Sequence, residues 1–234
     1  EILHRAGIES VVLEQRSRAY VLSRIRAGVL EPGTVEVLRQ NGLGERMDRE
    51  GHAHDGMRIV WAGRASFFID VKKHVGKRFM AYGQTNIQED LFAAADRRKA
   101  VVLDEAEDVR PVDVASAQPH VMFRHRGASM RLDCDFIAGC DGFHGVSRRA
   151  IPPAVLREYE KVYPFGWLGI LSETPPLPEI VYANHPRGFA LASMRSPTLS
   201  RYYIQVPLED NTGNWPDERF WSELKARFPR EMAD

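Results

Sequence analysis

Glu1-Ile-Leu-His-Arg-Ala-Gly-Ile-Glu-Ser-Val-Val-Leu-Glu14 decides how the chain is read. Residues 1 to 5 carry the pattern of a helix end. Ala6-Gly7 supplies the turn, with Gly7 at the C-cap, and Ser10 to Glu14 is a short apolar run closed by an acid. Helix, glycine, buried strand and terminal carboxylate form the back half of a βαβ dinucleotide unit, where the acid accepts hydrogen bonds from a ribose. The glycine-rich phosphate loop of such a unit lies roughly 20 residues before the acid, upstream of Glu1. The expectation is a chain that begins inside the motif, an internal fragment.

The other end is read the same way. Pro216 to Phe228 sets Phe220, Leu224 and Phe228 four apart, an amphipathic helix. Only six residues follow, so that face is expected to have nothing to pack on. Between the ends, Pro32 to Gln40 is a helix with proline near its start and Gly42 just past its end. Met57–Trp61 and Ala65–Asp70 read as a hairpin around Ala62-Gly63. Thr85-Asn-Ile-Gln88 is a capping box opening a helix through Arg98. Residues 101–103, 120–124 and 130–132 are strand-like, with a hairpin turn at Arg126-Gly127. Phe136 to Ala138 is a strand running into Gly139-Cys-Asp-Gly142. From Tyr163 to Leu208 the pattern becomes strands split by proline and glycine. The expected fold class is mixed α/β. A Rossmann-like nucleotide-binding portion over 1–155, lacking its phosphate loop, precedes a β-rich substrate layer over 156–234.

Composition removes several classes. Lys plus Arg equals 32 and Asp plus Glu equals 32, so no net field draws the chain to nucleic acid. No apolar run approaches the ~20 residues needed to cross a bilayer, and no membrane role is expected. Cys134 and Cys140 form neither a disulfide framework nor a zinc pattern, which suits a reducing cytoplasm. His52-x-His54 lies in a turn-like stretch without further ligands, so no metal is expected. Gly-x-Ser-x-Gly, the nucleophile elbow of hydrolases, does not occur.

Three constellations bear on chemistry. In Arg24-Ile-Arg-Ala-Gly-Val29 two arginines share a side of an extended segment, and Ala27-Gly28 leaves room for close backbone approach. The segment suits a diphosphate or is a solvated basic turn. Gly139-Cys-Asp-Gly-Phe-His-Gly-Val-Ser-Arg148 is a strand end followed by a helix start, where Asp141 meets ribose hydroxyls or simply caps the helix. Ser193 and Arg195 share one strand face, and Arg201, Tyr203 and Gln205 another. They make a clamp for a small carboxylate or an exterior polar face.

With Arg24-Ile-Arg-Ala-Gly-Val-Leu-Glu31, Tyr82-Gly-Gln84, the Gly139–Arg148 block, Tyr163-Pro-Phe-Gly-Trp-Leu-Gly169 and Tyr182-Ala-Asn-His-Pro-Arg-Gly-Phe-Ala190 in this order, a family emerges. The chain resembles the group A flavoprotein aromatic hydroxylases, in their 4-hydroxybenzoate 3-monooxygenase branch, over essentially its whole length. The resemblance implies an FAD enzyme that uses NADPH or NADH and O2 to convert 4-hydroxybenzoate to 3,4-dihydroxybenzoate, and a homodimer when full length. A hydroxylase for another hydroxylated aromatic acid, or a non-catalytic ligand-binding remnant, are the alternatives. By matching motif, Glu14 binds the ribose of FAD, and Arg24, Ile25, Arg26, Ala27, Gly28 and Val29 line the cofactor with Arg26 at its diphosphate. Gln84 also touches FAD, and Asp141 serves FAD and NAD(P)H. His144 and Arg148 meet the reduced pyridine nucleotide, and Arg16 and Arg18 favour NADPH. Tyr182 is matched to the substrate phenol, and Ser193, Met194, Arg195 and Tyr203 to its carboxylate. Arg201 is matched to movement of the flavin, and His54 to the outer end of a proton-transfer chain.

Overall fold

Alternating apolar residues in four segments between 165 and 207 give four strands, and these strands organise the larger part of the molecule. The computed structural model describes all residues but Ile25, Gly63 and Asp234, with Ala233 described in backbone only. The cofactor role expected of Ile25 and the turn expected at Gly63 therefore lie outside the described residues. In chain order the strands are β1 (Val11–Leu13), β2 (Val29–Leu30), β3 (His52–His54), β4 (Gly56–Trp61), β5 (Phe67–Asp70), β6 (Phe79–Ala81), β7 (Val101–Leu103), β8 (Glu107–Val112), β9 (His120–His125), β10 (Ala128–Asp133), β11 (Phe165–Ser172), β12 (Ile180–Asn184), β13 (Ala190–Ser196) and β14 (Leu199–Pro207). The helices used below are α1 (Ile2–Arg5), α2 (Arg18–Ser23), α3 (Pro32–Gln40), α4 (Glu45–Glu50), α5 (Val71–Val75), α6 (Gln84–Arg98), α7 (Val146–Arg149) and α8 (Asp217–Lys225). Among the described residues no helix is long and apolar enough to cross a membrane.

Contacts divide the chain into two compact units, Glu1–Arg24 with Leu91–Lys161, and Ile25–Asp90 with Val162–Asp234. Sequence character suggested one change near residue 155. The structure instead has the chain pass between units three times, because segment 25–90 supplies strands to the sheet that residues 165–207 begin.

In the first unit β1 and β7 run parallel, Val11 opposite Val101 through Leu13 opposite Leu103. Glu14 continues the ladder by donating its N–H to the Leu103 carbonyl at 2.9 Å. An antiparallel sheet in the order β10-β9-β8 adjoins Ala106, Val121 and Phe123, with Leu13, Leu103 and Ile137 packed around them. Its hairpin turns at Arg126 (φ 51°) and Gly127 (φ 80°), the left-handed pair a two-residue turn requires. Residues 136–138 do not form the expected strand. Apolar content alone does not make a strand without a neighbour to bond, and among the described residues none pairs here; Ile137 packs inward while Phe136 is exposed.

The second unit holds a six-stranded sheet in the order β11-β14-β13-β12-β4-β5, in which only β12 and β4 run parallel. One face of it is small and apolar: Val60, Val181, Ala183, Ala190, Ala192 and Ile204 are buried against Phe220 and Leu224 of α8, with Phe228 beside them. This corrects the expectation of an unpacked terminal helix. The face folds back on the sheet, and burying Phe220 and Leu224 is worth about 1.5–3 kcal/mol each. A three-stranded sheet, β2-β6-β3, completes the unit. His52–His54 is thus a strand on β6 and not a turn. Helix α6 begins at Gln84, so Thr85 stands in its first turn and not at its cap.

Candidate functional site

The sheet face away from α8 carries the residues that sequence singled out. Register fixes a row across it: Ile59 on β4 opposes Tyr182 on β12, Tyr182 opposes Leu191 on β13, Leu191 opposes Tyr203 on β14, and Tyr203 opposes Gly169 on β11. Strands lie about 4.8 Å apart, so Tyr182 and Tyr203 stand roughly 10 Å apart with Leu191 between them, room for one aromatic ring. One step along the strands, Ser193 opposes Arg201. Met194 alternates with Ser193 and Arg195, so its buried side chain faces away from this row and only its backbone borders it.

Two guanidinium groups gather beside this row. Arg195 Nη2 and Arg201 Nη1 both donate to the Arg26 carbonyl, at 3.1 and 2.7 Å. Among the described residues neither arginine has a carboxylate partner, and the buried Nε of Arg195 has no acceptor. Burial, then repulsion from Arg201, pushes the Arg195 pKa down to about 10, so it stays charged at neutral pH while lacking an anion. Arg201 lies over the Tyr203 ring at 4.6 Å, and the Ser193 hydroxyl donates to the Arg201 carbonyl at 3.4 Å.

Two glycines make this packing possible. A Cβ on Gly28 would lie 1.8 Å from Arg195 Nη1. The close backbone approach foreseen for Ala27-Gly28 serves Arg195, and the loop is pinned by Tyr82 N–H to the Gly28 carbonyl and Gln84 N–H to the Ala27 carbonyl. A Cβ on Gly169 would lie 2.5 Å from Tyr203 Cε1. Gly169 went unread, although a lone glycine inside a strand signals such an approach.

Toward the other end of the strands the face becomes apolar. Met57, Ile59, Trp61, Tyr182, Asn184 and Phe189 line a hollow of about 300 Å³. Phe189 touches Tyr182 (ring centroids 5.9 Å apart) and Trp167 (4.7 Å). Burial raises the Tyr182 pKa, so its hydroxyl stays a proton donor in neutral solution. In the same unit His54 is buried, and among the described residues neither ring nitrogen makes a hydrogen bond of ordinary geometry, although the Pro178 backbone acts on the ring. Burial first, and nearby His52 second, lower its pKa.

The nucleotide candidates fall into both units. In the first, Glu14 sits at the C-terminal end of β1. One carboxylate oxygen accepts the Arg16 N–H at 2.7 Å, and the other has no partner among the described residues. Arg16 and Arg24 lie over the Tyr20 ring at 5.1 and 5.4 Å, whereas Arg18 is held by Asp96 at 2.8 Å. Asp141 accepts the Ser147 N–H at 2.9 Å, and this bond chiefly holds its carboxyl below the usual range. Asp141 thus meets a first-turn N–H of α7, whose N-cap residue is Gly145. His144 is in edge contact with Phe143, and Arg148 lies 3.8 Å over the same ring while pairing with Glu158 at 3.2 Å. In the second unit are Arg26, Ala27, Gly28, Val29 and Gln84, with Arg26 exposed.

The family described as FAD binding domain matches residues 1–234. The chain is 46% identical over 236 aligned residues to p-hydroxybenzoate hydroxylase of Acinetobacter baylyi, an alignment that takes in all of this chain and 58% of that protein. It therefore spans little more than half of that relative. Among solved structures, p-nitrophenol 4-monooxygenase PnpA from Pseudomonas putida DLL-E4 superposes with a TM-score of 0.79 at 14% identity, over 97% of this chain and 58% of that one. A variant of PqsL from P. aeruginosa superposes with a TM-score of 0.77 at 21% identity, over 99% and 64%. At such identities these two likenesses concern the fold.

Proposed function

The chain belongs to the FAD-binding-domain family, and from that premise we propose that the protein is an FAD-dependent monooxygenase that converts 4-hydroxybenzoate to 3,4-dihydroxybenzoate with NAD(P)H and O2. The observation that carries this reading is the charged clamp at one end of an aromatic row. Arg195 and Arg201 have no carboxylate partner among the described residues, and Tyr182 stands across Leu191 from Tyr203. A planar ring with an anion at one end and a phenol at the other suits that arrangement. The Acinetobacter relative is named p-hydroxybenzoate hydroxylase, which supports the reading.

The donor set also suits the cofactor. In the first unit Glu14 keeps one carboxylate oxygen for a ribose diol, and in the second unit exposed Arg26 carries charge suited to a diphosphate. When bound, the flavin supplies electron transfer from NAD(P)H and activation of O2. The chain's own residues then do three things. Ser193, Arg195 and Tyr203 hold the carboxylate and fix the ring's orientation. Tyr182, protonated in neutral solution, donates to the phenol oxygen and so favours its phenolate, which raises electron density on the ring carbon to be attacked. His54 takes the released proton outward. Arg16, which forms no ion pair among the described residues, is the side chain for the 2′-phosphate of NADPH, while Arg18 is already engaged with Asp96. A cytoplasmic homodimer completes the reading, and sedimentation of the full-length protein tests the assembly.

The decisive test is turnover by the full-length protein. Reconstituted with FAD, it should form one 3,4-dihydroxybenzoate per NAD(P)H oxidised with 4-hydroxybenzoate, and should lose most affinity for the amide of that acid. Equal binding of acid and amide would overturn the clamp.

A further inference from the structure

His52 is the exposed residue two positions before His54 on β3, and both rings lie on the same side of the strand. Their centroids are 5.1 Å apart in an edge arrangement with 66° between planes. A single water, or rotation of the exposed ring about χ2, closes that separation. His54 is almost wholly buried, and among the described residues neither of its nitrogens has a hydrogen bond of ordinary geometry, the Pro178 backbone being the nearest polar group to act on the ring. A buried imidazole so weakly satisfied is uncommon, since polar atoms without good partners inside a protein are rare.

We propose that His52 is the solvent-side partner of His54, the imidazole through which the buried ring exchanges its proton with bulk water. This rests on the reading of His54 as the outer part of the proton path from Tyr182. The proton leaves the substrate phenol, passes to a nitrogen of His54, moves to His52 and ends on water or buffer. His54 returns to its neutral form, so nothing accumulates. The other charged groups facing His54 suit this direction. Next to it in sequence stands Asp55, itself paired with Lys72 and Arg78. Beyond Pro178 stands Glu179, bonded to Arg58. Strand β6 opposite offers only Phe79. Both carboxylates are already paired with cations, and among the described residues His52 is the imidazole in ring contact with His54. Burial first, and like-charge repulsion from His52 second, disfavour the protonated form of His54, so a proton that reaches it is readily passed on.

The test uses the FAD-loaded full-length protein mixed rapidly with 4-hydroxybenzoate, proton release being followed with a pH-indicator dye and phenolate formation by absorbance. His52→Gln should slow release by roughly tenfold or more, leave the final phenolate signal unchanged, and regain speed as imidazole is added to the buffer. In the same variant the NMR titration midpoint of His54 should move up, because a like charge is gone. Wild-type release in His52→Gln, or slow release that imidazole does not restore, would overturn the proposal. His54→Gln separates the layers: if it slows release and His52→Gln does not, His52 alone is misassigned. If neither variant slows release, the path through His54 is itself wrong.

Discussion

Gly28→Ala tests whether backbone proximity sets the clamp. The φ of Gly28 is outside the left-handed region, so alanine is admitted by the backbone and the effect is steric. The new methyl carbon would stand 1.8 Å from Arg195 Nη1, and ordinary contact begins near 3.4 Å, so the guanidinium must retreat by about 1.6 Å. A charge-assisted contact of ~2.8 Å lengthened that far is no longer a hydrogen bond. Losing it costs about 1.5–3 kcal/mol of affinity, a factor of roughly 10 to 150 in Kd. The added methyl also meets the Gly83 Cα at 3.1 Å, so the loop gives by a few tenths of an ångström and stability changes little. The assay is equilibrium titration of 4-hydroxybenzoate against the flavin absorbance of the full-length protein. Arg195→Ala alone should cost about 2–4 kcal/mol. In that background Gly28→Ala should add less than about 0.5 kcal/mol, since the side chain it displaces is gone. Additive losses in the double variant, or a Kd within about threefold of wild type in Gly28→Ala alone, would refute the reasoning.

Gly169→Ala pushes on the Tyr203 ring in the same manner and should weaken the acid by about 1 kcal/mol in the same titration. Tyr182→Phe keeps the ring shape and the carboxylate clamp, so substrate should still bind. Product per NAD(P)H should nevertheless fall sharply, with hydrogen peroxide made instead, and wild-type product yield would remove Tyr182 from the proton path. His54 gives a pH signature: its folded pKa lies below the ordinary 6.5, so as pH falls below 6.5 the unfolded chain takes a proton that the folded one refuses. Stability should therefore drop from pH 6.5 down to the folded pKa, and His54→Gln should flatten that part of a pH series of urea midpoints. Phe220→Ala should lower unfolding free energy by about 3–5 kcal/mol in denaturant titrations, because it opens a cavity between α8 and the sheet.

What could be read from the sequence was local. Val11 to Leu13 was legible as a strand because a glycine turn and a terminal acid frame it, and the alternation around Ser193, Arg195, Arg201 and Tyr203 already put each set on one strand face. Which face was solvated was not legible. That depends on α8 covering the opposite side, and the apolar stripe of Phe220 and Leu224 does not name its partner. The same limit explains Phe136 to Ala138, whose composition is strand-like but whose pairing is not its own to decide. His52–His54 looked like a turn because histidine, alanine and glycine carry weak β preference, and pairing with β6 overrides it. Gly28 was read as a site of close approach, yet the neighbour it accommodates, Arg195, lies 167 positions further on.

The parallel pairing of β4 with β12 has a consequence for how the chain is made. About 120 residues separate the end of one strand from the start of the other. At 5–20 residues per second, a ribosome needs roughly 6–24 s to deliver β12 after β4 has emerged. During that interval the β4–β5 hairpin, with Val60 and Trp61, has an open edge and no sheet to join. Closure across so long a loop also makes the large sheet the slow step of folding. The nascent second unit is therefore exposed to edge-to-edge association and to holding chaperones, while β8 to β10 of the first unit, paired with near neighbours, can zip as they appear.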